Sequence, residues 1–459
     1  MHTRLKQCFL VLLICAAPSA WPQGVATDQA AARLAAGKPT LRLSLKQAVD
    51  IALGPGGNAR VQMAEELIRQ AQSRSAQARA ALLPSLESTV GQQNLTRNLR
   101  AYGIQLQLPI PGFVSPTLVG PFGVFDARAT ASQSVFDLSS LRRFQASKTG
   151  ITLAEIEKES AEDQVRDQVA RSYLAAIRAE AALEAAVADV RLAEALVKLA
   201  SDQKAAGTAT GIEVTRARVQ LANEKQRLLV AENNRARVHL QLLKAIGLNL
   251  DATLEFTEKL AYIPIGAVAP EQAIQVALES RADWKAQQKR LKYAKQNYGA
   301  TRSERLPSLG AFADYGSIGS SIDHAIPTYT LGFAVRVPIF DGGRRDARRS
   351  ESASLVRQEE IRTRDLGRQI ELDVRIALDG LRSAAEQVRA AEEGLSLADG
   401  ELAQAQRRYR EGVGSSIEIT DAQARLERAR ENRTTALFNH NLARIDLGTA
   451  MGTIRQLIQ

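Results

Sequence analysis

Cysteine is almost absent from this chain: there are two among 459 residues, Cys8 and Cys15, and both lie near the start. The same segment combines Arg4 and Lys6 with a short apolar run and then small residues, which is the pattern of a secretory signal peptide. We therefore expect residues 1–24 to be a leader that is removed. The remaining chain would then have no disulfide bond and no thiol chemistry.

Long apolar runs and histidine are also scarce. After the leader, no stretch of the sequence approaches the roughly 18–20 apolar residues of a transmembrane helix, so membrane insertion would require strands. The four histidines are scattered without the spacing of metal ligands, and no catalytic constellation is present. The sequence therefore predicts no enzyme, no cofactor and no metal site.

A net charge of +10 first suggests nucleic-acid binding. However, basic and acidic residues alternate along the chain, and aromatic residues make up only 5% of it. Because nucleic-acid binding needs a concentrated basic surface, often with aromatic residues that stack on bases, we expect solvated helix faces and no nucleic-acid partner.

The sequence contains two copies of a pattern that predicts a helical hairpin, about 205 residues apart. Bulky residues recur every seven positions in both copies, with small residues three positions behind them. The seven-residue positions of the two copies are Val169, Ala176, Leu183, Val190 and Val197, and Val374, Leu381, Val388, Leu395 and Leu402, and all of them except Ala176 are bulky. The small ones are Ser172, Ala179, Ala186, Ala193 and Ala200, and Ala377, Ala384, Ala391, Ala398 and Ala405. This spacing is typical of supercoiled helices in close contact.

The repeat extends upstream of the hairpins, because Leu83-Pro84-Ser85-Leu86 recurs as Leu306-Pro307-Ser308-Leu309 and Phe136-Asp137 recurs as Phe340-Asp341. We expect a first repeat over residues 25–248, a linker over 249–270 and a second repeat over 271–459. In the first repeat, strands are predicted at about 85–98 and 127–137 and the hairpin at about 140–247, with a loop over the Pro- and Gly-rich run 109–123. In the second, strands are predicted at about 308–316 and 328–340, and the hairpin at about 344–452.

One of these strands alternates clearly between apolar and polar residues. Its apolar positions are Tyr329, Leu331, Phe333, Val335, Val337 and Ile339. A strand of ~9–11 residues that is apolar on one face suits a transmembrane β-barrel. We therefore predict that these six residues face lipid, although two hairpins packed on a soluble helical domain would show a similar pattern.

Taken together, the two repeats resemble the TolC-like outer membrane efflux protein family over essentially the whole mature chain. The most specific stretch runs from Arg408-Tyr409-Arg410-Glu411-Gly412 to Ile417-Glu418-Ile419-Thr420-Asp421-Ala422-Gln423. The resemblance implies a mainly α-helical protein with a β-barrel part, located in the cell outer membrane. In a homotrimer, four strands per chain would close a twelve-stranded barrel, and the coiled-coil hairpins would form a tunnel in the periplasm.

The resemblance also implies a function and partners. A channel of this kind exports small molecules such as drugs, metabolites and metal ions, or polypeptides, together with a periplasmic adaptor and an inner-membrane transporter. The alternative is a periplasmic coiled-coil adaptor or structural protein without a barrel. Adaptors carry one hairpin per chain within a split β domain, whereas this sequence repeats the hairpin.

Within this resemblance, the turns of the hairpins are the periplasmic tip, where the tunnel closes and meets the adaptor. The glycines of these turns are Gly207, Gly211, Gly412 and Gly414. Glu418 and Asp421 match the family's acidic constriction, and Glu213 takes the equivalent place in the first repeat. Gly414 stands where an arginine can tether the closed gate, so a salt bridge from that position is not expected.

A cluster of basic residues follows the last predicted strand: Arg344, Arg345, Arg348 and Arg349. If the strand spans the outer membrane, these arginines lie at its inner surface, where lipid phosphates are available. Equally, they could be the solvated first turns of a long helix.

Overall fold

The computed structural model describes residues 40–104, 117–207, 210–264, 266, 268–411 and 413–458. The expected leader, most of the predicted loop over 109–123 and Gly412 lie outside these described residues. The strands are β1 Thr40–Leu43, β2 Ser85–Asn98, β3 Leu118–Phe136, β4 Thr253–Phe256, β5 Ser308–Gly319 and β6 Ile326–Arg336. The helices are α1 Leu45–Leu53, α2 Ala59–Ala80, α3 Leu138–Ala205, α4 Gly211–Ile246, α5 Pro270–Ser280, α6 Ala282–Ser303, α7 Arg344–Arg410, α8 Ser416–Ala450 and α9 Ile454–Leu457.

Two hairpins of long helices dominate the structure. α3 has 68 residues and α7 has 67, so each is roughly 100 Å long at ~1.5 Å per residue. The Asp137 carboxylate accepts a hydrogen bond from the Ser139 N–H at 2.9 Å and so caps the start of α3. The heptad positions provide the contact between helices, since Val169, Val374 and Val388 are all buried.

The base of the first hairpin packs on a small parallel sheet of β1 and β4. Tyr173 of α3 is fully buried there, donates a hydrogen bond to the Leu43 carbonyl at 3.1 Å, and meets the Phe256 ring edge-on at 5.3 Å. This pairing was not predicted, and it corrects the linker: residues 249–270 contain strand β4. Four-residue strands that pair across more than 200 residues leave no periodic signal in the sequence.

The remaining strands form one antiparallel sheet in the order β2-β3-β5-β6. β3 corrects the sequence prediction because it begins at Leu118 and not near residue 127. Part of the run interpreted as a loop is strand, because β2 pairs with it: Leu95 lies opposite Phe122 and Asn98 opposite Leu118. β6 ends at Arg336, so Val337 and Ile339 lie beyond the strand to which they were assigned.

The register shows which side chains share a face, since residues directly opposite in an antiparallel pair point the same way. One face of the sheet is mainly apolar, although Ser88, Gln92, Asn94, Gln133 and Ser317 also lie on it, and the other face is mainly polar. The apolar face carries Leu86, Val90, Ala127, Ala129, Ala131, Leu309, Ala311, Ala313, Tyr315, Tyr329, Leu331, Phe333 and Val335. The polar face carries Glu87, Thr89, Asp126, Arg128, Thr130, Asp314, Thr328, Thr330 and Arg336.

Among the described helices, none has both the length and the apolar composition needed to cross a membrane.

Candidate functional site

The first functional feature is the apolar face of the sheet, which the single chain leaves uncovered. Tyr329 is 80% exposed, Leu331 is 74% exposed and Phe333 is 72% exposed. Val337 and Ile339 are exposed as well, just past the end of β6. Contiguous apolar surface of this kind marks a protein or membrane contact. The sheet also has two edges without a strand partner among the described residues, β2 and β6.

The second feature is the tip, where the end of α7 lies next to the start of α4. Tyr409 is 9% exposed, and its hydroxyl donates a long hydrogen bond of 3.5 Å to a carboxylate oxygen of Glu213. Burial and then the nearby negative charge of Glu213 raise the pKa of Tyr409, so the hydroxyl keeps its proton. This contact joins the second repeat to the first at the tip.

The neighbouring residue, Arg408, contacts another of the predicted constriction residues. Its Nε lies 3.3 Å from Oε2 of Glu418, across the turn between α7 and α8. Both side chains are about half exposed, and such pairs contribute only ~0–1 kcal/mol. Glu418 also has its backbone N–H bonded to the Ser415 hydroxyl, which caps α8. Asp421 lies on the same helix and is exposed.

The glycines of the tip turns differ in backbone conformation and in the space around them. Gly207 has φ +77°, a left-handed conformation that favours glycine, whereas Gly211 is the first residue of α4. At Gly414, a Cβ atom would lie 3.0 Å from the Tyr409 backbone nitrogen. An arginine at this position would therefore require the turn to shift, which agrees with the absence of a tether there. In this chain the tip salt bridge comes from Arg408.

Near these residues, a small cavity lies between the repeats. It is lined by Glu213, Tyr409, Gln220 and Gln423, among other residues. Gln423 is 1% exposed, and neither atom of its amide has a hydrogen-bond partner within the described part of the chain. Buried amides normally have hydrogen-bond partners, so Gln423 is an exception.

Farther along the hairpins, three carboxylates meet between helices of both repeats. Asp189, Glu224 and Glu427 place oxygen atoms within 4.8 Å of one another. Arg227 pairs with Glu224 at 3.2 Å and also with Glu427, and Arg430 Nη1 lies 2.9 Å from Asp189. Two guanidinium groups therefore face three carboxylates, and the remaining negative charge favours protonation of one carboxyl group.

The titration of this cluster follows from its burial. Burial first, then repulsion from Glu427, raises the pKa of Glu224 to about 7. Burial also raises the pKa of Asp189, although Arg430 opposes the shift. Sequence reasoning missed the cluster, but a signal was present: Glu224 occupies a seam position between Leu221 and Leu228, where an apolar residue is expected.

The fold and these features define a class: a two-repeat protein whose long helical hairpins extend from a sheet with one apolar face, as in channel-tunnels of the outer membrane. Comparison with known proteins gives the family. The model of the outer membrane efflux protein family matches residues 56–248 and 273–453, so the chain belongs to that family.

Individual relatives and a solved structure are consistent with this family assignment. The pyoverdine export outer membrane protein OpmQ of Pseudomonas putida is 25% identical over 397 residues, covering 84% of this chain and 81% of the relative. The toluene efflux pump outer membrane protein TtgF of P. putida is 26% identical over 387 residues, covering 82% and 76%. The crystal structure of the Campylobacter jejuni CmeC outer membrane channel superimposes with a TM-score of 0.77 at 18% identity, covering 89% and 85%.

These findings confirm the main predictions from the sequence. The chain is an outer membrane efflux channel and not an enzyme, with its helical tunnel in the periplasm. Family members work in tripartite efflux systems with an adaptor and an inner-membrane pump. The alternative of a periplasmic adaptor is not supported, since the family model spans both repeats.

Proposed function

We propose that three copies of this chain close one twelve-stranded barrel in the outer membrane and form a tunnel through which cargo leaves the periplasm. The observation that carries the proposal is the sheet itself. It has a mainly apolar face to which all four strands contribute, a mainly polar opposite face, and two edges without a strand partner among the described residues.

The geometry of the edges supports closure by identical copies. Successive pairs in the order β2-β3-β5-β6 are all antiparallel, so β6 of one copy runs opposite to β2 of the next. Pairing these edges continues the alternation around a ring and leaves no open edge, as a membrane barrel requires. The shortest strand of this four-stranded sheet, β6, has 11 residues, or about 36 Å at ~3.3 Å per residue, which spans a hydrocarbon layer.

We further propose that the tip is the gate of this tunnel. In a trimer, Glu213, Glu418 and Asp421 of three copies would surround one narrow mouth. Carboxylates that surround a narrow mouth attract cations and strengthen the electric field at the opening. The Tyr409 and Arg408 contacts hold Glu213 and Glu418 near the end of α7, which supports a closed arrangement of the tip. The glycine turns Gly207, Gly211, Gly412 and Gly414 would present this end to the adaptor.

The relatives support a conduit that does not select for one chemical class of cargo. One is named for export of pyoverdine and another for efflux of toluene. We accordingly propose that this chain provides a general water-filled route and that its inner-membrane partner chooses the cargo.

The sheet proposal is tested by placing a charge on each face. Phe333→Arg puts a guanidinium on the apolar face, where it should cost about 2–4 kcal/mol near the middle of the bilayer. The matched control is Ala334→Arg, one residue along the same strand on the polar face. We expect Phe333→Arg to reduce the amount of trimer extracted from outer membranes and Ala334→Arg to leave most of it. Equal yields from the two variants would contradict the proposed membrane face.

A further inference from the structure

We propose that arginines at the junctions between sheet and helices bind the phosphate groups of phospholipids in the periplasmic leaflet of the outer membrane. This inference rests on the proposed membrane placement of the sheet and specifies which lipid group the protein contacts there.

Charge is concentrated at these junctions. The chain passes between helix and sheet four times, over residues 74–84, 137–143, 302–305 and 341–349. These four segments contain ten arginines, no lysine and only four acidic residues. Arginines outnumber acidic residues in each of the four segments. Phosphate is the anion that a membrane surface offers at this height.

The acidic residues are already engaged. Asp137 caps α3, and Glu304 lies between Arg143 and Arg348, with its Oε2 2.8 Å from Arg348 Nη2. Asp341 pairs with Arg345 at 3.0 Å. The remaining one, Asp346, pairs with Arg305.

Four exposed arginines are left over. Arg74, Arg79, Arg302 and Arg344 form neither an ion pair nor a hydrogen bond with any residue that the structure describes. Arg79 and Arg302 occupy equivalent places in the two repeats, each in the last turn of the helix before a Leu-Pro-Ser-Leu strand entry. The repeat therefore sets two free guanidinium groups at the same level of each chain.

Exposed apolar residues lie close in sequence to three of these arginines. Leu83 and Leu306 are 50% and 47% exposed, four positions after Arg79 and Arg302 respectively. Phe340 is 88% exposed, four positions before Arg344. A guanidinium next to exposed apolar side chains matches the boundary between acyl chains and headgroups. Its planar fork can donate two hydrogen bonds to one phosphate.

The test uses full-length protein purified in a neutral detergent, with lipid binding counted by native mass spectrometry. The variant combines Arg79→Gln, Arg302→Gln and Arg344→Gln. The matched control combines Arg191→Gln, Arg218→Gln and Arg433→Gln, which removes the same charge from exposed arginines of the hairpins. Phosphatidylglycerol, phosphatidylcholine and inorganic phosphate are added separately, and trimer content is checked for each protein.

We expect the parent and the control to retain phosphatidylglycerol equally and the junction variant to lose affinity about fivefold for each arginine removed. Equal loss in both triple variants would show an effect of net charge alone and would overturn the proposal. So would unchanged binding in the junction variant, or full displacement of the lipid by inorganic phosphate. A parent that binds none of these lipids would instead contradict the membrane placement on which the proposal rests.

Discussion

Glu224 is 1% exposed, and its carboxylate shares a buried space with Glu427 and Asp189. Its Oε1 accepts a hydrogen bond of 2.6 Å from Gln220 and another of 3.2 Å from Arg227. Replacing it with glutamine keeps the shape and the capacity for hydrogen bonds but removes the charge. The substitution therefore tests whether this buried carboxylate limits the stability of the contact between the two repeats.

The sign of the effect follows from the pKa. Burial raises the pKa of Glu224 to about 7 in the folded chain, whereas an unfolded glutamate titrates near ~4.3. Below the unfolded pKa the group is neutral in both states and costs nothing. As the pH rises toward 7, unfolding increasingly allows the group to ionise, so the folded state loses stability. At ~1.4 kcal/mol per pKa unit, the loss is about 4 kcal/mol above pH 7.

We therefore expect Glu224→Gln to be more stable than the parent at pH 8, by on the order of 3–4 kcal/mol, because the pKa already includes the opposing charge of Arg227. At pH 5 the difference should be small. The measurement is urea unfolding of the full chain in detergent, followed by the circular dichroism of its helices from pH 5 to 8. Glu232→Gln, an exposed substitution on the same helix, is the control. If parent and Glu224→Gln lose stability in parallel over this range, Glu224 is not the group that titrates.

Two further predictions concern the seam and the gate. Ala384 is 4% exposed in the seam of α7, so Ala384→Leu should overpack the helix contact and cost about 1–3 kcal/mol of folding stability. Ala390→Leu, at an exposed position of the same helix, should leave the stability unchanged. Equal melting temperatures for the two variants would show that the seam has room for a larger side chain. Alanine at both Glu418 and Asp421 should weaken cation selectivity and relieve block by divalent cations in planar-bilayer recordings, because these exposed carboxylates supply the field at the mouth. Unchanged selectivity would move the constriction elsewhere.

Much of the architecture was predictable because it has a period. A seven-residue pattern without proline requires a long helix with a partner along its length, and the structure has α3 and α7 where the pattern placed them. The alternation of Tyr329, Leu331 and Phe333 likewise predicted β6 and its exposed face.

The tip was predictable only in part. The sequence indicated Glu213, Glu418 and Asp421 through resemblance, without their contacts. The Tyr409 bond to Glu213 joins residues 196 positions apart, and no local pattern indicates such a pairing. Gly414 illustrates the same limit: the absence of an arginine was visible in the sequence, whereas the contact of Arg408 with Glu418 depends on how the turn folds.

By itself, the sequence determined the two repeats, the hairpins and the most regular strand. These features are periodic, and in a periodic element the position of a residue along the chain determines which face its side chain lies on. Only the tertiary structure decided features that depend on pairing between distant segments. The register placed Ala127, Ala129 and Ala131 on the same face as Leu331, although small residues alone give weak alternation. It also extended β3 back to Leu118, because β2 supplies the hydrogen bonds that a Pro- and Gly-rich segment cannot provide for itself.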